Sequence, residues 1–163
     1  MARSAARTEE VRPDAIAVRP EAFLFPAWRG HGVYCDAFGL PAGKYESWGE
    51  GRREDDGTVV LDFHTRLDTG VENHFAWAVA PEQGKRFRLI DRISGQESRG
   101  DMCERGFTWS WSHIHATPLG LRRCRVRAVY TLIGSDEAST DVTISLFGVM
   151  VGSSASHIRH TPA

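Results

Sequence analysis

The sequence predicts an all-β chain that folds as a single antiparallel meander β-barrel of about 8–10 strands. From Trp28 onward, segments of alternating apolar and polar residues recur roughly every ten residues, separated by turns rich in Gly, Pro and Asp. No segment has the apolar period of a helix that could connect two parallel strands. Because an open sheet of this kind would leave two unpaired edges, closure into a barrel is favoured.

The composition is typical of one globular domain. The 163 residues are 41% hydrophobic and 25% charged, with a net charge of −1. Without a basic excess or an apolar stretch of membrane-spanning length, neither nucleic acid nor a membrane is predicted as a partner. Three dispersed cysteines with no CxxC pair indicate neither a disulfide framework nor a thiolate zinc site, and they favour a reducing, cytoplasmic location.

The domain boundary is predicted near residue 22. Residues 1–22 are rich in Ala, Arg, Glu and Pro and have no apolar period, which predicts a disordered tail or, alternatively, a short helix that caps the barrel. They contain no apolar run long enough for a secretory signal. Residues 23–163 are the predicted barrel domain.

The turn signals divide the barrel domain into ten predicted strands. The strands occupy residues 28–38, 45–53, 59–67, 72–79, 86–93, 95–103, 107–115, 122–133, 138–146 and 153–160. The pattern is clearest in residues 59–67, where an apolar face is predicted to point inward and a charged face outward.

The strand over residues 107–115 predicts a cavity. Its alternation places two histidines on the same face as three aromatic residues, namely Phe107, Trp109, Trp111, His113 and His115. This mixture suits a pocket wall better than a packed core, which rarely holds two neighbouring imidazoles. We therefore expect a cavity for a small hydrophobic molecule, with ligand-binding side chains at Tyr34, Phe75, Trp77, Phe87, Trp109 and Trp111.

Two short motifs resemble those of an uncharacterised bacterial family with a lipocalin-like barrel. The first is Gly32-Val33-Tyr34-Cys35-Asp36-Ala37-Phe38-Gly39, similar to that family's opening Asp-x-Phe-Gly strand. The second is Thr143-Ile144-Ser145-Leu146-Phe147-Gly148, similar to its closing Thr-x-Ser-Lys-Phe-Gly, with Leu146 in place of the lysine. The resemblance implies a lipocalin-like, calycin-like fold over residues 28–160.

Four side chains are predicted to supply acid/base chemistry in the cavity: His113, His115, Asp91 and Tyr130. A histidine beside tryptophans would stay neutral and accept a proton. Asp91 alternates with apolar residues, so burial would raise its pKa and let it act as an acid or orient a histidine. Tyr130 could hold an enolate or carbonyl oxygen with its phenol.

Each of these residues also has an ordinary structural explanation. One histidine could pack under a tryptophan while the other sits at the barrel mouth. Asp91 could bind the backbone near Ser94 and Gly95, and Tyr130 could belong to the core with its hydroxyl at the rim.

Metal binding is a weaker alternative for the two histidines. A catalytic metal needs a third protein ligand, and Asp62, His64 and His74 are suppliers by residue type that no spacing ties to the pair. Haem ligation through His157 or His160 has no supporting motif. The GxSxG, P-loop and dinucleotide-binding motifs are absent, and the sequence predicts no cofactor.

The leading hypothesis is a cytoplasmic barrel that encloses an aromatic or polyene-like metabolite and catalyses a cofactor-free cyclisation, isomerisation or related proton transfer. A carrier without chemistry would need only an apolar cup with a few orienting polar groups, so it stays open as the rival. A structural protein with a filled barrel would show no cavity. A homodimer is also left open.

Overall fold

Residues 19–117 and 119–161 are described in a computed structural model of the chain. They form one short helix and ten strands. In chain order these are α1 Pro20–Phe23, β1 Ala27–Cys35, β2 Pro41–Arg53, β3 Val59–Leu67, β4 Glu72–Pro81, β5 Arg86–Asp91, β6 Glu97–Cys103, β7 Gly106–Thr117, β8 Gly120–Leu132, β9 Glu137–Leu146 and β10 Val149–His160.

The strands close into one antiparallel barrel. Each strand pairs with the next along the chain, and β1 also pairs with β10, where Trp28 lies opposite His160 and Cys35 opposite Ser153. The ring therefore has no exposed edge strand. The predicted all-β meander barrel is confirmed.

Aspartate-capped turns decide where two strands end. β3 spans the residues predicted for it, but β1 ends at Cys35, before the predicted end at residue 38. The carboxylate of Asp36 accepts hydrogen bonds from the backbone N–H of Phe38 and Leu40, at 2.9 and 3.0 Å. This local bonding competes with strand pairing. β5 ends at Asp91 in the same way, two residues before its predicted end.

The short helix α1 covers one end of the barrel. Proline at the first helical position presets the backbone angle for the turn. The next apolar residues, Phe23 and Leu24, are buried, and the ring of Phe23 lies 6.2 Å from that of Phe107. In the described ranges no helix is long and apolar enough to cross a membrane.

The helix confirms, for the end of the predicted tail, the alternative of a short helix that caps the barrel. Residues 20–22 are helical, and Pro20 and Glu21 are buried, because the apolar residues that follow anchor this turn to the barrel. The rest of the predicted tail, residues 1–18, lies outside the described residues.

A packed aromatic core fills the end that α1 covers. The ring of Phe107 stacks on Tyr130 at 4.7 Å, and Trp109 lies 4.8 Å from Tyr130. Phe87 meets Trp109 edge to face at 6.0 Å. Burying each large apolar side chain stabilises a fold by about 1.5–3 kcal/mol. Packed side chains therefore fill the interior at this end of the barrel.

Glycines opposite aromatic residues allow the wide rings to fit inside. Trp28 pairs across β1 and β2 with Gly49, and a Cβ on Gly49 would lie 2.7 Å from the indole. Gly32 pairs with Tyr45 in the same sheet region, and a Cβ there would lie 2.7 Å from the phenol ring. Any larger residue would push these rings out of place.

Candidate functional site

A cavity of about 570 Å³ occupies the barrel above the aromatic core. Its walls come from β1 to β4 and β7 to β10. The floor includes Trp28, Ala128 and Tyr130, and the opposite, open end includes Cys35 and Leu67. A volume in the range of about 300–1,000 Å³ is typical of small-molecule sites.

One side of the cavity is an aromatic wall. Trp28 lies 5.1 Å from Phe63, which stacks on Phe75 at 5.2 Å. Trp77 meets Trp111 edge to face at 5.1 Å. Such rings present flat, apolar faces that suit a planar or conjugated ligand.

Polar groups lie mainly on the side formed by β2 and β8 to β10. The hydroxyls of Tyr45 and Ser154 are 3.4 Å apart. The hydroxyl of Thr140 is buried and has no hydrogen-bond partner among the described residues. Burial, followed by the charge of Tyr45, raises the pKa of Tyr130, so this phenol stays protonated and can donate. These hydroxyls can orient a polar atom of a ligand.

The two predicted histidines line the cavity from β7. His113 lies deeper, with its ring 5.5 Å from Phe75, and His115 lies nearer the open end. Burial lowers the pKa of His113, although the charge of Asp91 opposes this shift. Burial and then the charge of His113 lower the pKa of His115. Both imidazoles are therefore mainly neutral at pH 7 and can accept a proton.

Asp91 does not act as the buried acid that its alternation with Phe87 and Leu89 predicts. It accepts hydrogen bonds from the hydroxyl of Ser94 at 2.6 Å and from the backbone N–H of Ile93 at 2.9 Å. Partial burial alone would raise its pKa, but these bonds and the charge of His113 together lower it. The predicted raised pKa is therefore wrong, because a turn supplies local donors.

Tyr130 and His113 do not converge on one point. On β7 the residue opposite Tyr130 is Phe107, six positions before His113. Six residues of strand span about 20 Å. A ligand would thus meet Tyr130 at the floor and His113 higher on the wall, so the four predicted acid/base residues do not form one cluster.

Four of the six predicted ligand-binding side chains line the cavity, namely Tyr34, Phe75, Trp77 and Trp111. Trp109 and Phe87 lie instead in the packed core, where they are 2% and 1% exposed. Their strands, β5 and β7, continue into the end of the barrel that α1 covers, where large side chains fill the interior. They support the cavity from below.

The alternative metal and haem ligands lie away from this site. Asp62, His64 and His74 are on the outer face, where His64 stacks on His74 at 4.6 Å and Asp62 lies 3.2 Å from His74. No group of three His, Cys, Asp or Glu side chains within residues 19–117 and 119–161 is arranged to hold a metal ion. His157 lies 3.3 Å from Glu137, and His160 packs on Phe23.

Several cavity residues were not singled out from the sequence. These are Trp28, Tyr45, Phe63, Thr140 and Ser154. Phe63 was predicted to face inward, but inward residues of a barrel can belong either to core or to cavity. Tyr45 had a usable signal, because its cross-strand partner is glycine, which leaves room for a ring to cross the barrel interior.

The lowered histidine pKa values make barrel stability depend on pH. Between the depressed folded-state pKa and the ordinary value near 6.5, the unfolded chain binds more protons than the folded chain. The free energy of unfolding therefore rises with pH across this window and falls as the pH drops below about 6.5. We expect His113→Gln to flatten this dependence in urea unfolding measured from about pH 7.5 to pH 5.

Asp91 also contributes to the pH dependence of the free energy of unfolding, but in a more acidic pH range than His113. Its lowered pKa stabilises the fold above the ordinary value of 3.8, and this stabilisation is lost only at more acidic pH. Equal slopes for the wild-type protein and the His113 variant would contradict the assignment of His113 to a desolvated site.

The barrel is similar to that of an S-type phycobiliprotein lyase from Guillardia theta. The TM-score is 0.63, the match covers 88% of this chain and 91% of that chain, and the sequence identity is 7%. At this identity the likeness concerns the fold alone, a calycin-like barrel. No family model matches the chain, and no curated protein matches it in sequence.

Proposed function

We propose that this barrel binds a hydrophobic aromatic or polyene-like molecule in its open cavity and catalyses a cofactor-free proton transfer, such as an isomerisation or cyclisation, through His113. The observation that carries the proposal is a neutral imidazole set in an aromatic wall: His113 lies 5.5 Å from Phe75, and burial lowers its pKa. A base near neutrality in an apolar site is suited to removing a proton from carbon.

The cavity walls support a planar hydrophobic ligand. The rings of Phe63, Phe75 and Trp77 lie within 5.2 to 5.7 Å of one another. A flat conjugated molecule can stack on such a surface or meet its edges. The neighbour named as a phycobiliprotein lyase makes an open-chain tetrapyrrole a sensible first probe, alongside polycyclic aromatics and polyenes.

The opposite wall supports orientation of an oxygen atom. In a ring of ten strands, β2 and β7 are five positions apart, so Tyr45 and His113 approach the cavity from opposite sides. In the structure the hydroxyl of Tyr45 donates to Ser154; on ligand binding it donates instead to a carbonyl of the ligand and stabilises the enolate that forms. His113 takes the proton from the adjacent carbon and returns it at a second carbon, which shifts the double bond and regenerates the neutral imidazole.

One observation favours a carrier as the second candidate. Asp91 is committed to its turn and Tyr130 lies at the floor, so neither joins His113 at a reacting centre. A carrier needs only the apolar cavity and a few orienting hydroxyls. Turnover of a bound molecule separates the two functions, because a carrier returns its ligand unchanged.

Trp111→Ala tests the cavity as the binding site. Trp111 lines the cavity and is only partly buried, so its removal should weaken ligand binding by about tenfold or more while leaving the barrel folded. Binding is measured as saturable quenching of tryptophan emission by the tetrapyrrole or polyene probe, and folding is measured by urea unfolding.

Trp48→Ala is the matched control for that experiment. Trp48 lies on the outer face, where it stacks on His64 at 5.3 Å, so its loss should leave probe affinity unchanged. Unchanged affinity in Trp111→Ala, or an equal loss in both variants, would exclude the aromatic wall as the binding site.

A further inference from the structure

The open end of the barrel carries a ring of exposed apolar side chains. Because the chain is a meander, the turns after β1, β3, β5, β7 and β9 lie at one end, the end where the cavity opens. We call these five turns and the adjoining strand ends the mouth rim. Its exposed large hydrophobic side chains are Phe38, Leu40, Val71, Ile93, Ile114, Leu119, Leu121, Phe147, Val149 and Met150.

The covered end differs in composition. Within the described part of the chain, its exposed large hydrophobic side chain is Ile133 alone. The turn between β2 and β3 at that end carries Glu54, Asp55 and Asp56. Large exposed apolar areas on a monomer mark contact surfaces, so the mouth rim, and not the covered end, is the surface expected to contact a partner.

Phe147 destabilises the isolated barrel in two respects. Its φ of 51°, followed by 83° at Gly148, places it in a tight two-residue hairpin that favours Gly, Asn or Asp. Its side chain is 92% exposed and so gains little packing in return. A strained, exposed aromatic residue at a hairpin tip indicates contact with something outside the chain.

One hairpin of the rim, β7–β8, is basic as well as apolar. The sequence has no acidic residue between Glu104 and Asp136, a range that contains this hairpin. The neighbouring β9–β10 hairpin is uncharged from Val142 to Ser156. Arg122 and Arg123 are exposed beside Leu121. The prediction that the chain has no membrane partner used the net charge of the whole chain, in which this local basic region is balanced by acidic residues elsewhere.

We propose that the mouth rim binds the surface of an anionic lipid bilayer. Leu121 and Phe147 enter the interface, and Arg122 and Arg123 contact headgroup phosphates, the pairing of apolar and basic groups that binds proteins to such surfaces. A fluid bilayer accommodates five separate projecting turns without matching their shape. A second copy docked with its β7–β8 hairpin against this one would bring like-charged arginines together, which disfavours that self-association.

This contact gives the cavity a direct supply of hydrophobic molecules. The cavity opens at the centre of the mouth rim. A molecule dissolved in the bilayer could then enter the barrel without crossing water. The binding of the rim to lipid does not depend on which molecule the cavity holds.

Co-sedimentation with vesicles tests the proposal on the full chain. We expect binding to phosphatidylcholine vesicles that contain phosphatidylglycerol and several-fold weaker binding to phosphatidylcholine alone. Phe147→Ser and Leu121→Ser should each weaken binding by roughly tenfold, the effect of removing a large buried apolar group. Arg122→Ser and Arg123→Ser should each weaken binding to the anionic vesicles by about fivefold.

Matched variants at the covered end serve as controls. Ile133→Ser removes an exposed apolar side chain, and Arg105→Ser removes an exposed cation, both away from the rim. Each should bind vesicles like the wild-type protein. All rim variants should keep the same quenching by the cavity probe, so a failure of lipid binding is distinct from a failure of the cavity proposal.

Three outcomes would overturn the rim proposal. The first is that the wild-type protein stays in the supernatant with both vesicle types. The second is that the control variants lose binding as much as the rim variants. The third is a dimer in sedimentation velocity that Leu121→Ser dissociates while no vesicles bind, which would make the rim a self-association surface.

Discussion

Replacing His113 by glutamine should lower the turnover of a cavity substrate by about 10²- to 10⁴-fold, the usual contribution of a positioned acid or base. Glutamine keeps most of the volume and polarity but cannot take a proton. Since the side chain lines the cavity and is not part of the packed core, the barrel should remain folded. Turnover is followed by the absorbance of the conjugated probe, at equal occupancy of wild-type and variant proteins.

His115→Gln is the companion variant. His115 lies nearer the open end, so its loss should reduce turnover less than the loss of His113. If both variants kept full turnover of an identified substrate, catalysis through His113 would be excluded. If a chelator abolished turnover and an added metal ion restored it, metal chemistry would replace the proposed proton transfer.

Trp109→Ala should cost about 3–5 kcal/mol of folding free energy, the largest stability effect we expect from a single change. Trp109 is 2% exposed, stacks on Phe107 at 5.6 Å and meets Trp77 edge to face at 5.5 Å. Its removal leaves a hole in the end that α1 covers, where no solvent can fill the space favourably. The loss is measured as the shift in urea midpoint at constant m-value.

Trp48→Ala provides the comparison on the outer face. The same change in side-chain size there should cost much less, since the indole is partly exposed and contacts His64 and Arg66 at the surface. Equal losses in the two variants would show that the aromatic cluster at the covered end is not the main source of stability.

The fold was predictable because the barrel is built from simple alternation. In β3 and β8 most inward positions are apolar, and the outward positions include Asp62 and Arg66 in β3 and three arginines in β8, so the period alone indicates the strand and its face. Strand ends were less predictable. At Asp36 and Asp91 a carboxylate bonds its own turn, and this local contact stops the strand before the apolar pattern ends.

The candidate site was only partly predictable. His113 and Trp111 were predicted because they sit on the inward face of a strand. Asp91 takes the alternative of bonding to its own turn near Ser94, because inward register does not determine where a carboxylate finds its donors. The period also cannot distinguish core from cavity along one strand. Trp109 and Trp111 are neighbours on one face, yet only Trp111 lines the cavity.

The mouth rim could not be seen along the sequence. Its apolar residues lie on five hairpins between residues 38 and 150, with one to three exposed side chains on each. Only the meander topology brings them to one end. The basic character of the β7–β8 hairpin is visible in the sequence, but the sequence alone does not show that this hairpin lies beside the apolar tips of the other four.

Calorimetric titration of the tetrapyrrole or polyene probe into wild-type protein and into Val142→Trp tests the central claim that the cavity binds a hydrophobic molecule. Val142 lines the cavity, so a tryptophan there fills the ligand space, whereas Thr131→Trp on the outer face leaves it open. We expect saturable binding with a negative heat-capacity change in the wild-type protein and the Thr131 variant, the mark of apolar burial. The Val142 variant should show no binding. If it bound the probe as tightly as the wild-type protein does, the cavity would not be the binding site.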